Sequence, residues 1–557
     1  MPTVKRLYLY GVLAVVGIPL LVGVADIVRL LLEGLFGSVG DPLLTSARLD
    51  REDLSLAVAL VLVGAPLWGV HAWLLRHSSS GSAEERAEEL ASVPRATYFL
   101  VVLVVTVAVA VYNASDVLAA LFRTVALGQR AYDLPEAVAS AVVFGSAWLV
   151  HIAWRRRDLR LVPARTAGDW STRLYLYGVL FAVATIALVT AAESLTIVAQ
   201  ELSGARPAFE GPRWWQDAIA GPLAIAVVAT VVWMLHMGVG DRLTRAPSPM
   251  GEAHRDSRSR IAYFLGIALL CAFAVLISLG SAFHHILTGS LGIWESVEGS
   301  RFEAEAYGPL LSILPFLAVW WFHLRRVSLE ALDFGGTTRQ ASVVRAGRLL
   351  VAFVGLAGLS FGAAWGIGAS IHLVVEHGAT GVISESVLRA DAALGLSTAL
   401  VGLAMWLPSW RRLQRERASD PIGAAVSTAR RAYLLLVSGV AVVGAMASLS
   451  WLVYQLIRVA VEAGQAEDSA WAFGALLVAA IVLSYHLVTL RSDLLIVAAA
   501  ESVASAVPVH PAGAVEELEI TGPPDADFEA LNASVRSRLP QGYELRVVRK
   551  ADATERP

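Results

Sequence analysis

The sequence predicts an all-α polytopic integral membrane protein with twelve transmembrane helices in six tandem pairs, followed by a small cytoplasmic α/β tail. Three observations predict this fold. Of the 557 residues, 56 % are hydrophobic and only 16 % are charged, whereas charged residues make up about a quarter of a typical soluble protein. Twelve apolar stretches approach or exceed the ~20 residues that cross a bilayer. A pair of short motifs also recurs along the chain.

The apolar stretches come in pairs, with a longer first member and a shorter second member. We place them near 7–33, 55–75, 97–122, 137–154, 174–200, 218–239, 261–288, 306–324, 349–375, 391–410, 432–461 and 469–490. Their spacing predicts a unit of about 85 residues that occurs six times.

Most units carry one motif at the start of their first helix and another at the end of their second. The first motif is a basic residue shortly before a tyrosine, as in Arg6/Tyr8, Arg95/Tyr98, Arg173/Tyr175, Arg260/Tyr263 and Arg430/Tyr433. The second is Trp-x-x-His, present as Trp68/His71, Trp148/His151, Trp233/His236 and Trp320/His323, and reduced to His486 in the sixth unit. The fifth unit is degenerate, with Arg345-Ala346-Gly347 and Trp406-Leu407-Pro408-Ser409 at these places.

Alternate units resemble each other most, since Arg-Leu-Tyr-Leu-Tyr occurs at residue 6 and again at residue 173. This predicts three four-helix modules at 1–167, 168–340 and 341–495, followed by a tail at 496–557. Each module has an even number of spans, so the repeats are parallel and not inverted as in many transporters. In the tail, residues 515–521 and 543–548 read as strands around a helix at 526–539. We expect this element to dock on the cytoplasmic face of the bundle or on a protein partner.

The connections between spans alternate in charge. Well over half of the 44 basic residues lie in 1–6 and in the connections at 76–95, 155–173, 241–260, 325–348 and 411–431, while the other connections are acidic. Positive-inside counting therefore places both termini in the cytoplasm. Nearly all basic residues are arginine, which is typical of a GC-rich bacterial genome, so we predict a bacterial inner (plasma) membrane protein.

The histidine and tryptophan motifs have more than one interpretation. Because each lies within two turns of the arginines that end its helix, the stronger one is an aromatic belt of anchors at the inner interface, formed by Trp68, His71, Trp148, His151, Trp233, His236, Trp320, His323 and His486. A weak metal or haem ligand role and a proton relay are the alternatives. Cys271 is the only cysteine, which excludes intramolecular disulfides and cysteine-built metal sites.

Acidic residues recur eighteen residues after the tyrosine in the first three units, as Asp26, Asp116 and Glu193. Five helical turns span about 27 Å, so these carboxylates fall near the outer interface. Arg29 follows Asp26 at i,i+3, a spacing at which the two charges can neutralise each other. The plain interpretation is a helix end in water or headgroups; a polar vestibule and a cation or proton site are alternatives.

Arginine clusters mark the inner ends of two spans, at 155–157 and at Arg411, Arg412, Arg415 and Arg417. As topology determinants they are already explained by the positive-inside pattern. Attraction of anionic lipid headgroups is the alternative.

The combined Arg-x-Tyr-Leu-Tyr and Trp-x-x-His motifs resemble those of a bacterial multipass family known only as a domain of unknown function. The resemblance covers residues 1–495 and implies tandem membrane helix pairs. The family has no assigned activity, so it implies no catalytic residue.

We therefore expect a non-enzymatic membrane scaffold or sensor, with no cofactor, no metal and no nucleic-acid partner. The expected partners are the lipid bilayer and a protein bound at the tail. A transporter or channel with a polar pathway between the modules is the alternative, and it is weaker because no set of charges lies at mid-span.

Overall fold

The protein is described by a computed structural model over residues 3–36, 47–78, 82–128, 134–160, 169–204, 211, 213–246, 250–293, 302–333, 338–376, 385–460 and 469–506. Throughout these ranges the regular structure is helical, and no strand occurs in them. The predicted β-α-β element of the tail lies outside the described residues. The described residues up to 498 form one compact unit.

Within the described residues, fifteen helices follow one another, twelve long and three short. They are α1 (Thr3–Phe36), α2 (Ala47–Ser78), α3 (Ala83–Leu90), α4 (Val93–Leu127), α5 (Leu134–Arg160), α6 (Asp169–Ser203), α7 (Trp214–Arg245), α8 (Met250–Arg255), α9 (Arg258–Ser290), α10 (Phe302–Asp333), α11 (Thr338–Glu376), α12 (Glu385–Ser419), α13 (Pro421–Ala425), α14 (Thr428–Ala460) and α15 (Ser469–Ala506).

Each of the twelve long helices is long and apolar enough to cross a membrane, which confirms the predicted number. The helices extend further than the apolar stretches from which they were predicted. For example, α2 has 32 residues and α12 has 35, because arginine, glutamate and alanine at the polar ends are good helix formers.

The three short helices occupy equivalent places, between the second and third long helices of each predicted module. Helix α3 begins with a capping box: the Ser82 hydroxyl accepts from the Glu85 amide at 3.2 Å, and the Glu85 carboxylate accepts from the Ser82 amide at 3.0 Å. Helix α13 begins at Pro421. The side chain of Asp420 caps it by accepting a hydrogen bond from the Gly423 amide.

The long helices pack in a pattern that repeats. Within the first four-helix group α1 contacts α2, α4 and α5, and within the second α6 contacts α7, α9 and α10. The third long helix of each group also faces the next group, since α4 contacts α6 and α7 while α9 contacts α11 and α12. Helices α4 and α9 therefore connect each four-helix group to the next one. The exact module boundaries at 167 and 340 stay predictions.

Helices α11 and α12 approach closely through glycines. A Cβ atom added to Gly402 would lie 2.2 Å from the Leu359 amide nitrogen, and one added to Gly362 would lie 2.3 Å from the Ala399 nitrogen. Only a hydrogen atom fits at these positions, so the two backbones touch directly.

Candidate functional site

A chain of buried polar side chains crosses the arginine-rich end of the first four-helix group, the end that carries α3. Arg95 on α4 donates to Oδ2 of Asp158 on α5 from Nε at 2.9 Å and from Nη2 at 2.6 Å. Its Nη1 donates to the Tyr10 hydroxyl of α1 at 2.6 Å, and Tyr10 donates to Oε1 of Glu89 on α3 at 2.7 Å. Arg6 closes the chain, with its Nε 2.7 Å from Oε2 of Glu89. The chain therefore links all four helices.

These five side chains are almost fully buried, from 2 % exposed for Tyr10 and Glu89 to 6 % for Arg95. Removing a charge from water is costly unless it is paired and hydrogen-bonded. Two arginines face two carboxylates here, so the buried charges balance. At the solvent side of the chain, the hydrogen bond and the positive charge of Arg6 lower the pKa of the exposed Glu88 carboxyl.

The same arginine–acid pair recurs in the other two groups. Arg260 on α9 donates to Glu330 on α10, and Arg430 on α14 donates from Nε to Asp493 on α15 at 2.7 Å. Arg417 on α12 forms a salt bridge with the other carboxylate oxygen of Asp493, with Nε 2.8 Å from Oδ1. In every group the pair ties the first helix of the second unit to its partner helix.

Sequence reasoning missed the acids of these pairs, although a signal was present. Asp158, Glu330 and Asp493 each lie seven residues after a motif histidine. Seven residues are nearly two helical turns, which places the acid below the histidine on the same helix face. The sequence alone did not predict a role for these acids, because they lie among arginines at a helix end that would be expected to be solvated.

The motif tyrosine of each of the first four units faces the histidine of the same unit. The hydroxyl-to-Nε2 distances are 3.4 Å for Tyr8–His71, 3.0 Å for Tyr98–His151, 3.1 Å for Tyr175–His236 and 2.7 Å for Tyr263–His323. Four units therefore clamp their two helices together with the same side-chain pair.

The histidine tautomer follows from the second ring nitrogen. In His323, Nδ1 lies 2.7 Å from the Val319 carbonyl oxygen, and His71, His151, His236 and His486 make the equivalent contact at 2.7–2.9 Å. A carbonyl only accepts, so Nδ1 carries the hydrogen. In the neutral ring Nε2 is then an acceptor, and the tyrosine hydroxyl donates to it.

Motif tryptophans connect one unit to the next. Trp148 Nε1 on α5 donates to the Tyr175 hydroxyl on α6 at 2.7 Å, and Trp233 Nε1 on α7 donates to the Tyr263 hydroxyl on α9 at 3.0 Å. Trp68 and Trp320 are partly buried against the neighbouring apolar clusters. These rings therefore contact helices, and the anchoring role predicted for them stays a prediction.

The last group keeps the arrangement in altered form. The Tyr433 and His486 ring centres are 5.9 Å apart, a spacing close to the 5.4–5.9 Å of the other pairs. Trp410, one turn beyond the motif Trp406, donates from Nε1 to the Tyr485 hydroxyl at 2.6 Å. The sixth unit thus keeps the tyrosine and the histidine of the motif, whereas the fifth unit has neither.

The acids predicted near the outer interface are not brought together with the polar chain. Arg29 pairs with Glu33 at 3.1 Å and with Asp53 of α2 at 2.8 Å. Asp26 and Asp116 are half-buried on α1 and α4, and Glu193 is exposed on α6. A shared vestibule and the simple helix-end interpretation both stay untested.

In the first group, the buried side chains of Arg95, Asp158, Tyr10 and Glu89 bond to one another. Within the described part of the chain, no group of three or more histidine, cysteine or acidic side chains is placed to hold a metal ion. Such an arrangement fixes helix positions.

Fold and site together define an all-helical repeat protein with twelve helices long and apolar enough to cross a membrane, held together at one end by recurring arginine–acid and tyrosine–histidine pairs. The chain belongs to the DUF5671 family, a domain of unknown function, whose family model matches residues 6–131, 173–318 and 345–485. The resemblance stated from the motifs is thereby confirmed, with three repeats along the chain. No curated protein and no solved structure matches the chain.

Proposed function

We propose that this protein spans the plasma membrane of a bacterium twelve times, with its arginine-rich end and both termini in the cytoplasm. The alternation of basic and acidic connections supports this orientation. The short helices α3, α8 and α13 all lie in the basic connections, so the polar chain and its repeats would face the cytoplasmic interface.

Within that membrane we propose a non-catalytic scaffold or sensor. The observation that carries the proposal is the balanced chain Asp158–Arg95–Tyr10–Glu89–Arg6, in which buried charges pair across four helices. Charges that are paired and hydrogen-bonded in this way hold a geometry and are unavailable to a substrate. Direct backbone contact between α11 and α12 at Gly362 and Gly402 likewise supports a fixed bundle.

Thiol labelling in intact cells tests the orientation. Cys271 is buried, so a Cys271→Ala background carrying either Ser79→Cys or Gln129→Cys reports two connections of opposite predicted side. A membrane-impermeant maleimide is expected to label only Gln129→Cys until the cells are opened. Labelling of Ser79→Cys in intact cells would reverse the orientation.

Two measurements separate a scaffold from a transporter. The purified chain in liposomes is expected to give no saturable flux of ions or small solutes above empty vesicles. Mild detergent extracts are expected to hold it in a complex larger than the purified protein. Saturable flux, or a native size equal to that of the purified protein, would overturn the scaffold proposal.

A further inference from the structure

The fifth unit has lost both members of the tyrosine–histidine pair. Gly347 stands two residues after Arg345, where Tyr8 follows Arg6 and Tyr175 follows Arg173, and the three family matches begin at these arginines. Ser409 stands three residues after Trp406, where the other units have histidine. A phenol ring and an imidazole are thus replaced by a hydrogen atom and a hydroxymethyl group.

A cleft of about 440 Å³ opens at Ser409, one of the two positions where the fifth unit has this loss. Leu407, Pro408 and Ser409 form one side, and Arg348, Arg411, Arg412 and Arg415 supply the charge. A Cβ atom added to Gly347 would meet nothing within 4 Å. The volume lies within the range of small-ligand sites, about 300–1,000 Å³.

The charge in the cleft is unbalanced, unlike that of the buried chain. Arg348 pairs with Glu416, whereas Arg411, Arg412 and Arg415 have no acidic partner among the described residues. Arg411 and Arg415 are four residues apart on α12, a spacing at which like charges repel. An anion between them would remove that repulsion.

The donor chemistry is that of a phosphate site. Guanidinium groups present forked donors that match phosphate oxygens, and a serine hydroxyl adds a further donor. The arginines come from both α11 and α12, so an anion would be held from two sides.

We propose that this cleft binds a phosphate-bearing anion, either the headgroup of an anionic phospholipid or a soluble phosphate. The site depends only on the residues that line it. A lipid as the source of the phosphate also requires the proposed membrane placement. The anion site and the membrane placement can therefore be disproved independently of each other.

The test uses the full chain in detergent, titrated with dioctanoyl phosphatidylglycerol or with inorganic phosphate at constant ionic strength. One saturable site is expected for at least one of them. Arg411→Gln with Arg412→Gln and Arg415→Gln is expected to weaken binding at least tenfold. The matched control, Arg156→Gln with Arg157→Gln and Arg242→Gln, removes three exposed arginines from other helices of the same end and is expected to change binding less than threefold.

A second variant narrows the cleft at Ser409 and keeps all of its arginines. Gly347→Tyr with Ser409→His restores the motif of the other units and is expected to abolish binding while the protein still folds. Binding of the lipid alone identifies a headgroup site, and binding of phosphate alone identifies a soluble ligand. Equal weakening by the two arginine triples, retained binding in the narrowed variant, or no saturable site would overturn the proposal.

Discussion

Tyr263 donates its hydroxyl hydrogen to Nε2 of His323 at 2.7 Å while accepting from Trp233 Nε1 at 3.0 Å. Three helices, α7, α9 and α10, thus meet at one phenol oxygen. The hydroxyl donates one hydrogen bond and accepts another, so its removal leaves both His323 Nε2 and Trp233 Nε1 without this hydrogen bond.

Tyr263→Phe should therefore lower the free energy of unfolding by about 1–3 kcal/mol, because the Trp233 and His323 nitrogens lose their partner in a buried place. Equilibrium unfolding in detergent micelles measures this. The matched control is Tyr8→Phe: Tyr8 is 60 % exposed and lies 3.4 Å from His71, so its loss should be hardly measurable. Equal effects of the two variants would contradict the bonding scheme.

Removal of one partner of the Arg95–Asp158 pair should cost more than removal of both. Asp158→Leu leaves the buried Arg95 charge without its carboxylate, and such a loss costs about 3–5 kcal/mol. The double variant Arg95→Leu with Asp158→Leu leaves Glu89 paired with Arg6 and removes the stranded charge. We expect the unfolding free energy of the double variant to be higher than that of Asp158→Leu. If the double variant lost as much unfolding free energy as the two single variants combined, charge balance would be excluded as the cause.

Glycine-to-alanine changes should have opposite signs at two helical positions. Gly402→Ala would force α11 and α12 apart and should destabilise by about 1–3 kcal/mol. Gly178→Ala on α6 meets nothing within 4 Å and should stabilise by about 0.5–1 kcal/mol through helix propensity. Thermal denaturation of the two purified variants decides the matter, and a stabilising Gly402→Ala would refute the close approach.

Neutralising the outer acids should leave the fold intact. The variant Asp26→Asn with Asp116→Asn and Glu193→Gln keeps Glu33 and Asp53, the two carboxylates that pair with Arg29. We expect membrane insertion and the melting temperature to match the parent, as read from membrane fractionation and a thermal shift. Loss of insertion would make these acids structural and end the vestibule interpretation.

The number of helices, their pairing and the alternation of charged connections follow from local features of the sequence. A run of apolar residues long enough to cross a bilayer predicts a helix without knowledge of its neighbours, and a repeat predicts equivalent places for Tyr98, Tyr175 and Tyr263. The Trp-x-x-His motif could likewise be found by reading alone, since its members lie one turn apart.

The partners of those residues could not be read in the same way. Arg95 meets Asp158 across 63 residues and Tyr10 across 85, and nothing local distinguishes Asp158 from any acid in an arginine-rich helix end. Only the packing of α4 against α1 and α5 decides that these charges are buried, and burial is what makes their pairing obligatory. Likewise, the loss of a tyrosine and a histidine in the fifth unit reads in the sequence as decay of a repeat. Only the packing of α11 against α12 brings Arg348 next to Ser409 and Arg412, in one cationic cleft.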